Sequence, residues 1–276
     1  MKRYAITLLI AALVVPFLAA SAQDAVYKFK ANTPYKYALE LKSEQVQEAM
    51  GQTMNVSIDG TVKLSMVVDK VLDNGNMHAT VTIENALIMA ESPQGSETSG
   101  TGLKGKTFGF TLQPNGKVVD RDSIADMGEQ MGEMMQVSGG FTSMFPKLDK
   151  ENLKVGGKWD RSMSDTTGTG DNQMIMNRSM NYEIKNAKQI KNHDCLEILM
   201  DGKKDNNGKM SRGGQDMRVS GEGTIAGAIL FDVKEGLLVE ISVSDKGETV
   251  VQDPNGSSFK VNVSSTTSQK LEYLPE

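Results

Sequence analysis

From Val56 to Val68 the chain alternates with a period of two: Val56, Ile58, Gly60, Val62, Leu64, Met66 and Val68 take every second place, with Ser57, Asp59, Thr61, Lys63 and Ser65 between them. Neighbouring side chains on a strand point to opposite faces, so this pattern predicts one long strand with a single face in a core. Asn74-Gly75 follows, a pair that takes positive φ at little cost and predicts a tight hairpin turn. The return arm alternates too, through Met77, Ala79, Val81 and Ile83.

The rest of the chain uses the same grammar. Tyr35, Tyr37, Leu39 and Leu41 make a first strand, and Phe108, Phe110 and Leu112 lead into a turn at Pro114-Asn115-Gly116. In the second half, Met180, Tyr182 and Ile184 run toward a polar turn at Lys191-Asn192, and Leu196, Ile198 and Met200 return. Ile225, Ile229, Phe231 and Val233 approach Glu235-Gly236, Val239, Ile241 and Val243 come back, and Phe259, Val261 and Val263 open a last strand. The stretches 92–106 and 201–216, rich in Gly, Ser and Asn, read as surface connections. Gly221-Glu222-Gly223 has no helix after it to hold a phosphate and reads as a bend or bulge in the sheet.

One segment, 122–137, has helical spacing. Asp122 or Ser123 caps it, and Ile124, Met127, Met131, Met134 and Met135 fall within an arc of about 120°. Gly139-Gly140 is then expected to hinge into a second short apolar piece, 141–148, which carries Phe141, Met144 and Phe145. The expected fold is mainly β: a strongly curved antiparallel sheet or half-barrel of roughly nine to eleven strands, with one amphipathic helix and a short helical segment inserted mid-chain. Residues 23–276 read as a single β-rich domain. Two similar halves, 23–120 and 156–276, joined by the helical segment 121–155, are the arrangement left open.

The first residues address the chain. Lys2 and Arg3, the apolar run from Tyr4 to Ala19 and the small residues Ala20-Ser21-Ala22 have the form of a signal peptide over 1–22, which predicts export to the periplasm or the cell exterior. That run is short for a membrane span and no second one of spanning length follows, so no stable span is expected after cleavage. The formal charge is −5, and losing Lys2 and Arg3 makes it more negative. Acidic and basic residues are mixed, which argues against nucleic acid as a partner. A single cysteine, Cys195, lies in an apolar strand-like run, so a buried thiol is expected and an internal disulfide is excluded.

Tyr35-Lys36-Tyr37, GKTFGFTLQPNGKVV at 105–119, LKVGGKW at 153–159 and ILFDVKEGLL at 229–238 together resemble a family of exported bacterial β-rich proteins of unknown function. In plan the chain is also similar to the lipoprotein-carrier fold of the bacterial periplasm. That likeness implies a curved, incompletely closed sheet that holds acyl chains beneath helices.

No motif identifies a reaction or a cofactor. The two histidines, His78 and His193, stand apart, and His193-Asp194-Cys195 are neighbours on a strand that point to opposite faces. No G-x-S-x-G elbow is present. DGKKDNNG at 201–208 puts lysines where calcium ligands belong and reads as a surface turn. The methionine thioethers suit Cu(I), but no His or Cys cluster completes such a site. What stands out is 18 methionines against 5% aromatics, a supply of flexible, polarizable groups that moulds to apolar ligands. The expected function is therefore non-catalytic binding or carriage of an apolar or amphiphilic ligand, with Met127, Met131, Met134, Met135, Phe141, Met144 and Phe145 as its wall. The alternative is that these residues fill a core and the protein is a structural or interaction module for another envelope protein.

Overall fold

The structure is a computed structural model that describes residues 27–49, 52–121, 131–169, 172–190, 192–212 and 215–273. The signal-peptide region, 1–22, lies outside them.

Strands β1 (Pro34–Ala49), β2 (Gln52–Val71), β3 (Met77–Ser92), β4 (Gly95–Ser99), β5 (Thr107–Leu112) and β6 (Val118–Arg121) form the first half. Strands β7 (Lys158–Thr169), β8 (Asn172–Ile190), β9 (His193–Arg212), β10 (Gln215–Asp232), β11 (Leu237–Gln252) and β12 (Ser258–Tyr273) form the second. All twelve belong to one sheet in the order β6-β5-β3-β2-β1-β12-β11-β10-β9-β8-β7, with β4 beside β3. Each half is a meander of antiparallel hairpins, and the pairing of β1 with β12 joins them. The sheet is strongly curved and not closed, since β6 and β7 are its two edges.

This order dictates what the middle of the chain does. β6 and β7 are consecutive in sequence but lie at opposite edges, so the connection between them must cross the whole sheet. It crosses on the inner face. Helix α1 (Met131–Ser143) and the chain to Leu153 lie there, with Phe141 against Tyr37 of β1 and Phe108 of β5. At the other side Arg161 Nη2 of β7 donates to the Leu148 carbonyl at 3.4 Å. Segment 27–31 ties the same end together: the Tyr27 amide donates to Pro114 at 2.7 Å and the Lys28 amide to Gly236 at 3.0 Å. One strap thus links a turn of the first half to a turn of the second.

The structure departs from the sequence expectation in three places. Residues 201–212 are the outer part of β9, and β10 begins at Gln215, so the supposed surface loop and the DGKKDNNG turn are a regular hairpin arm. No register shift falls at Gly221-Glu222-Gly223. The irregularity in β10 lies at Leu230/Phe231. The helix does not stop at a Gly139-Gly140 hinge but runs to Ser143, where the Thr142 hydroxyl donates to the Ser138 carbonyl at 2.8 Å. From Met144 to Asp149 the chain is turn and irregular backbone, and the short helical piece follows as a 3-10 turn at Lys150–Asn152.

Candidate functional site

The inner face has two ends. At the first, where the turns 72–76 and 233–236 lie, the space is filled. Phe141, 0% exposed, meets Tyr37, Phe108, Phe110 and Phe145 edge to face with ring centroids 5.2–6.2 Å apart. Tyr27 packs on Phe145 and Phe231 and donates its hydroxyl to Pro146. Burial pushes the Tyr27 and Tyr37 phenols well above the usual range, so both stay neutral donors, Tyr37 toward the Leu238 carbonyl at 3.3 Å. Of the residues singled out from sequence, Phe141, Met144 and Phe145 are buried in this cluster. Met131, Met134 and Met135 belong to α1, and Met127 lies outside the described residues.

Toward the second end the same face continues in cross-strand rows of changing character. One row runs Ile184, Ile198, Ile229, Ile241, Gln269 and Leu39 from β8 to β1, all buried. Two rows further out, Met180, Gly202, Ile225, Asp245, Ser265 and Ser43 follow one another. Beyond them stand Arg178, Lys204, Gly223, Gly247 and Val263. Val56, Ile58, Ile225, Val243 and Val263 are all half-buried here. The face becomes a half-buried trough of apolar, hydroxyl and glycine positions that also carries Asp245, Lys204 and Arg178.

Glycine shapes its floor. A Cβ on Gly223 would stand 2.4 Å from the Lys246 carbonyl and 2.8 Å from Lys204 Cε, and one on Gly202 would meet Met180 Sδ at 2.5 Å. Each glycine leaves room for a long side chain of the next strand to lie across it, which lets the sheet bend sharply. Lys204, laid over Gly223 in this way, reaches Asp245 Oδ2 at 2.7 Å. A cleft of about 110 Å³ opens beside this pair, lined by Met176, Asn206, Thr249, Val263 and Ser265 among others.

The β7–β8 side of the trough collects donors. Trp159, 8% exposed, stacks on Tyr182 at 5.1 Å with an interplanar angle of 7°, yet its indole N–H has no partner among the described residues. Nε of Arg161, two residues on and on the same face, is buried and equally unpartnered. Among the described residues Arg178 reaches only the Met176 thioether, at 3.2 and 3.3 Å, and a carboxylate oxygen of Asp165 at 3.8 Å. Burial raises the Tyr182 pKa, while the charges of Arg161 and Arg178 pull it the other way, so both guanidinium groups act on that hydroxyl. Lys147 is held below the usual lysine range by burial and then by Arg161 and Lys117. On β12, Gln269 is 0% exposed with both amide atoms unpaired among the described residues.

None of these donors was singled out from sequence, though a signal existed. Met174, Met176, Arg178, Met180, Tyr182 and Ile184 share one parity, and Trp159 and Arg161 share another. A guanidinium at an apolar parity position is a charge aimed inward.

The remaining titratable cluster is structural. His193 Nδ1 stands 2.8 Å from Asp232 Oδ2, and Asp232 Oδ1 accepts from the Glu235 amide at 2.9 Å, which fastens the β10–β11 turn to the start of β9. Cys195 pairs with Asp232 across the strands and is buried; burial and the carboxylates of Asp232 and Asp194 push its thiol up to about 12. Such a thiol is a poor nucleophile. Among the described residues no three His, Cys, Asp or Glu side chains converge to hold a metal, and no helix is long and apolar enough to cross a membrane.

The chain is similar to a solved structure concerned with lipid–protein interactions in lipovitellin, with a TM-score of 0.55 and 13% identity over 90% of this chain. It spans 26% of that chain's length, so the likeness is to one portion of a larger protein and is a likeness of fold. Looser superpositions, at TM-scores of 0.27 and 0.13, relate it to a YmcC-like protein of Bacteroides fragilis (8% identity, 91% of this chain and all of that one) and to a DUF1329 family protein of Desulfovibrio piger (10% identity, 87% of each). No family model and no curated protein matches the chain.

Proposed function

We propose that this is an exported, non-catalytic protein that holds an apolar or amphiphilic molecule, such as a lipid or acyl chain, against the open trough of its sheet. One observation carries the reading: the inner face continues past its packed core as a half-buried surface of Val56, Ile58, Ile225, Val243 and Val263. Apolar groups left half in water on a concave face gain roughly 25 cal/mol per Å² when a ligand covers them. Support comes from the lipovitellin likeness, because that structure concerns lipid–protein interactions, and from the signal-peptide pattern at 1–22. Phe141, Met144 and Phe145 then serve as the packing that anchors the roof. Met127, Met131, Met134 and Met135 are its candidate ligand contacts.

Native mass spectrometry of protein purified from cells that export it tests the reading. Acyl-chain species should leave with the protein under mild conditions and be lost on denaturation. A single ligand-free mass, with no binding of added hexadecanol or hexadecanoate afterwards, rejects it. A second reading, an interaction module of the cell envelope, rests on β7, a twelve-residue edge strand with one unpaired side. Its charged Asp160, Arg161 and Asp165 oppose strand addition.

A further inference from the structure

We infer that the β7–β8 corner of the trough is a seat for the anionic head group of an amphiphile, formed by Arg161 and Arg178 with the Trp159 indole N–H between the roof and the open face. The inference rests on the trough reading above and adds a ligand class to it. Arg161 lies opposite Met180, and Arg178 is two residues further along β8, so the two arginines are diagonal neighbours on one face. Such positions lie about 7–8 Å apart at the backbone, within the joint reach of two guanidinium groups on one small anion.

The chemistry of the corner is one-sided. Trp159 Nε1 and Arg161 Nε donate and cannot accept, and both are buried without a partner among the described residues. Buried donors left unpaired are costly, and an acceptor from outside removes that cost. Arg161 makes no ion pair among the described residues, its one bond going to the Leu148 carbonyl. The partner of Arg178, Asp165, is 62% exposed and 3.8 Å away, a contact that solvent screens. A thioether is a weak acceptor, so Met176 does not satisfy the Arg178 fork. Lys204, paired across the strands with Arg178, already has Asp245 and stands as a flanking charge.

A carboxylate or a phosphodiester supplies the planar or clustered acceptor oxygens that guanidinium donors fit. An acyl chain leaving the seat along the Met180 row crosses Gly202 and Ile225 and passes beside Asp245, whose charge Lys204 neutralises, to reach Val243 and Val263 in the flanking rows. That path spans four strand spacings from β8 to β12, about 19 Å at about 4.8 Å each.

Trp159 is the only tryptophan, so its fluorescence reports this corner directly. The delipidated protein is titrated with hexadecanoate, with palmitoyl lysophosphatidylglycerol and with neutral hexadecanol. Expected is a change in Trp159 emission on binding either anion, an affinity for at least one of them about tenfold or more above the alcohol, and weakening by added salt. The tighter anion tells a carboxylate seat from a phosphate seat. Arg178→Gln, at a 34% exposed side chain, should erase the anionic preference without loss of thermal stability, and Arg161→Lys should reduce it. Equal affinity for alcohol and anions, or a preference that survives Arg178→Gln, overturns the seat and leaves the trough. Failure of all three ligands to bind overturns both.

Discussion

The two ends of this sheet are built on the same alternation and differ in what the alternation carries inward. At the roofed end the inner positions are Tyr37, Leu64, Phe110, Phe141 and Phe231, large groups that are 0% exposed and meet across the curve. At the open end the matching positions are Val263, Ser265, Gly223, Lys204 and Arg178. Period-two patterning therefore builds the sheet at both ends, while the bulk and the charge of the inward side chains decide which end becomes core. A strand whose inner residues are too small to meet the opposite wall leaves a surface for something else to cover.

The sharpest way to break that comparison is to cut one aromatic from the roofed end. Phe141→Ala should cost about 3–5 kcal/mol in urea unfolding, because four rings lose a shared neighbour and the cavity cannot collapse. An effect below about 1 kcal/mol means that the roof is not part of the core. At this end the other face of the sheet holds Cys195, buried opposite Asp232. With its thiol pushed up to about 12 by burial, iodoacetamide at neutral pH should leave the native protein unlabelled and modify the unfolded chain fully. The sign at alkaline pH follows. From the ordinary value of 9.0 up to about 12 the unfolded thiol has lost its proton and the native one keeps it, so stability falls across that window.

The boundary between the ends is marked by Gln269. Its amide sits between Leu39 and Ile241 with no partner among the described residues. Gln269→Leu should raise stability, by about 1–3 kcal/mol if the amide is unpaired in solution as well. A loss of stability would place a bound water or ligand on that amide. Further out, Val263→Ala should cost only about 1 kcal/mol or less, since the side chain is half in water already, while it weakens amphiphile binding. If Val263 and Phe141 cost the same, the trough is core and the comparison fails.

The sequence made the inner-outer pattern legible over residues 35–41, 56–68, 77–83 and 108–112, where alternation holds, but not the register shift after which Ala86 replaces the odd positions of β3 inside, and the turns at Gly75, Gly116 and Gly236 have the positive φ expected of them. It hid the open end for a physical reason. Residues 201–212 carry Gly, Asn and Lys, the composition of a loop, and only pairing with β8 and β10 turns them into strand. At Gly202 and Gly223 a backbone carbonyl and a long side chain of the neighbouring strands occupy the space a Cβ would need, which no single-chain pattern reveals. Arg161 and Arg178 carry charge at inward parity positions, and charge in a sequence ordinarily marks surface. Met131, Met134 and Met135 lie within α1, as their spacing implies, and Met127 lies outside the described residues.

The smallest expected effect bears on the roof itself. Gly139 and Gly140 interrupt α1 in sequence yet lie within it, and neither is at positive φ. A Cβ on either finds nothing within 4 Å, so alanine fits without a clash. Alanine also lowers the entropy of the unfolded chain, and Gly139→Ala should therefore stabilise the protein by up to about 1 kcal/mol. Stabilisation with unchanged amphiphile binding means that the roof is a fixed lid over the packed end. Stabilisation with slower ligand uptake means that the glycine pair keeps α1 loose enough to admit ligand beneath it, and the border between the two ends is then set by the helix as well as by the sheet.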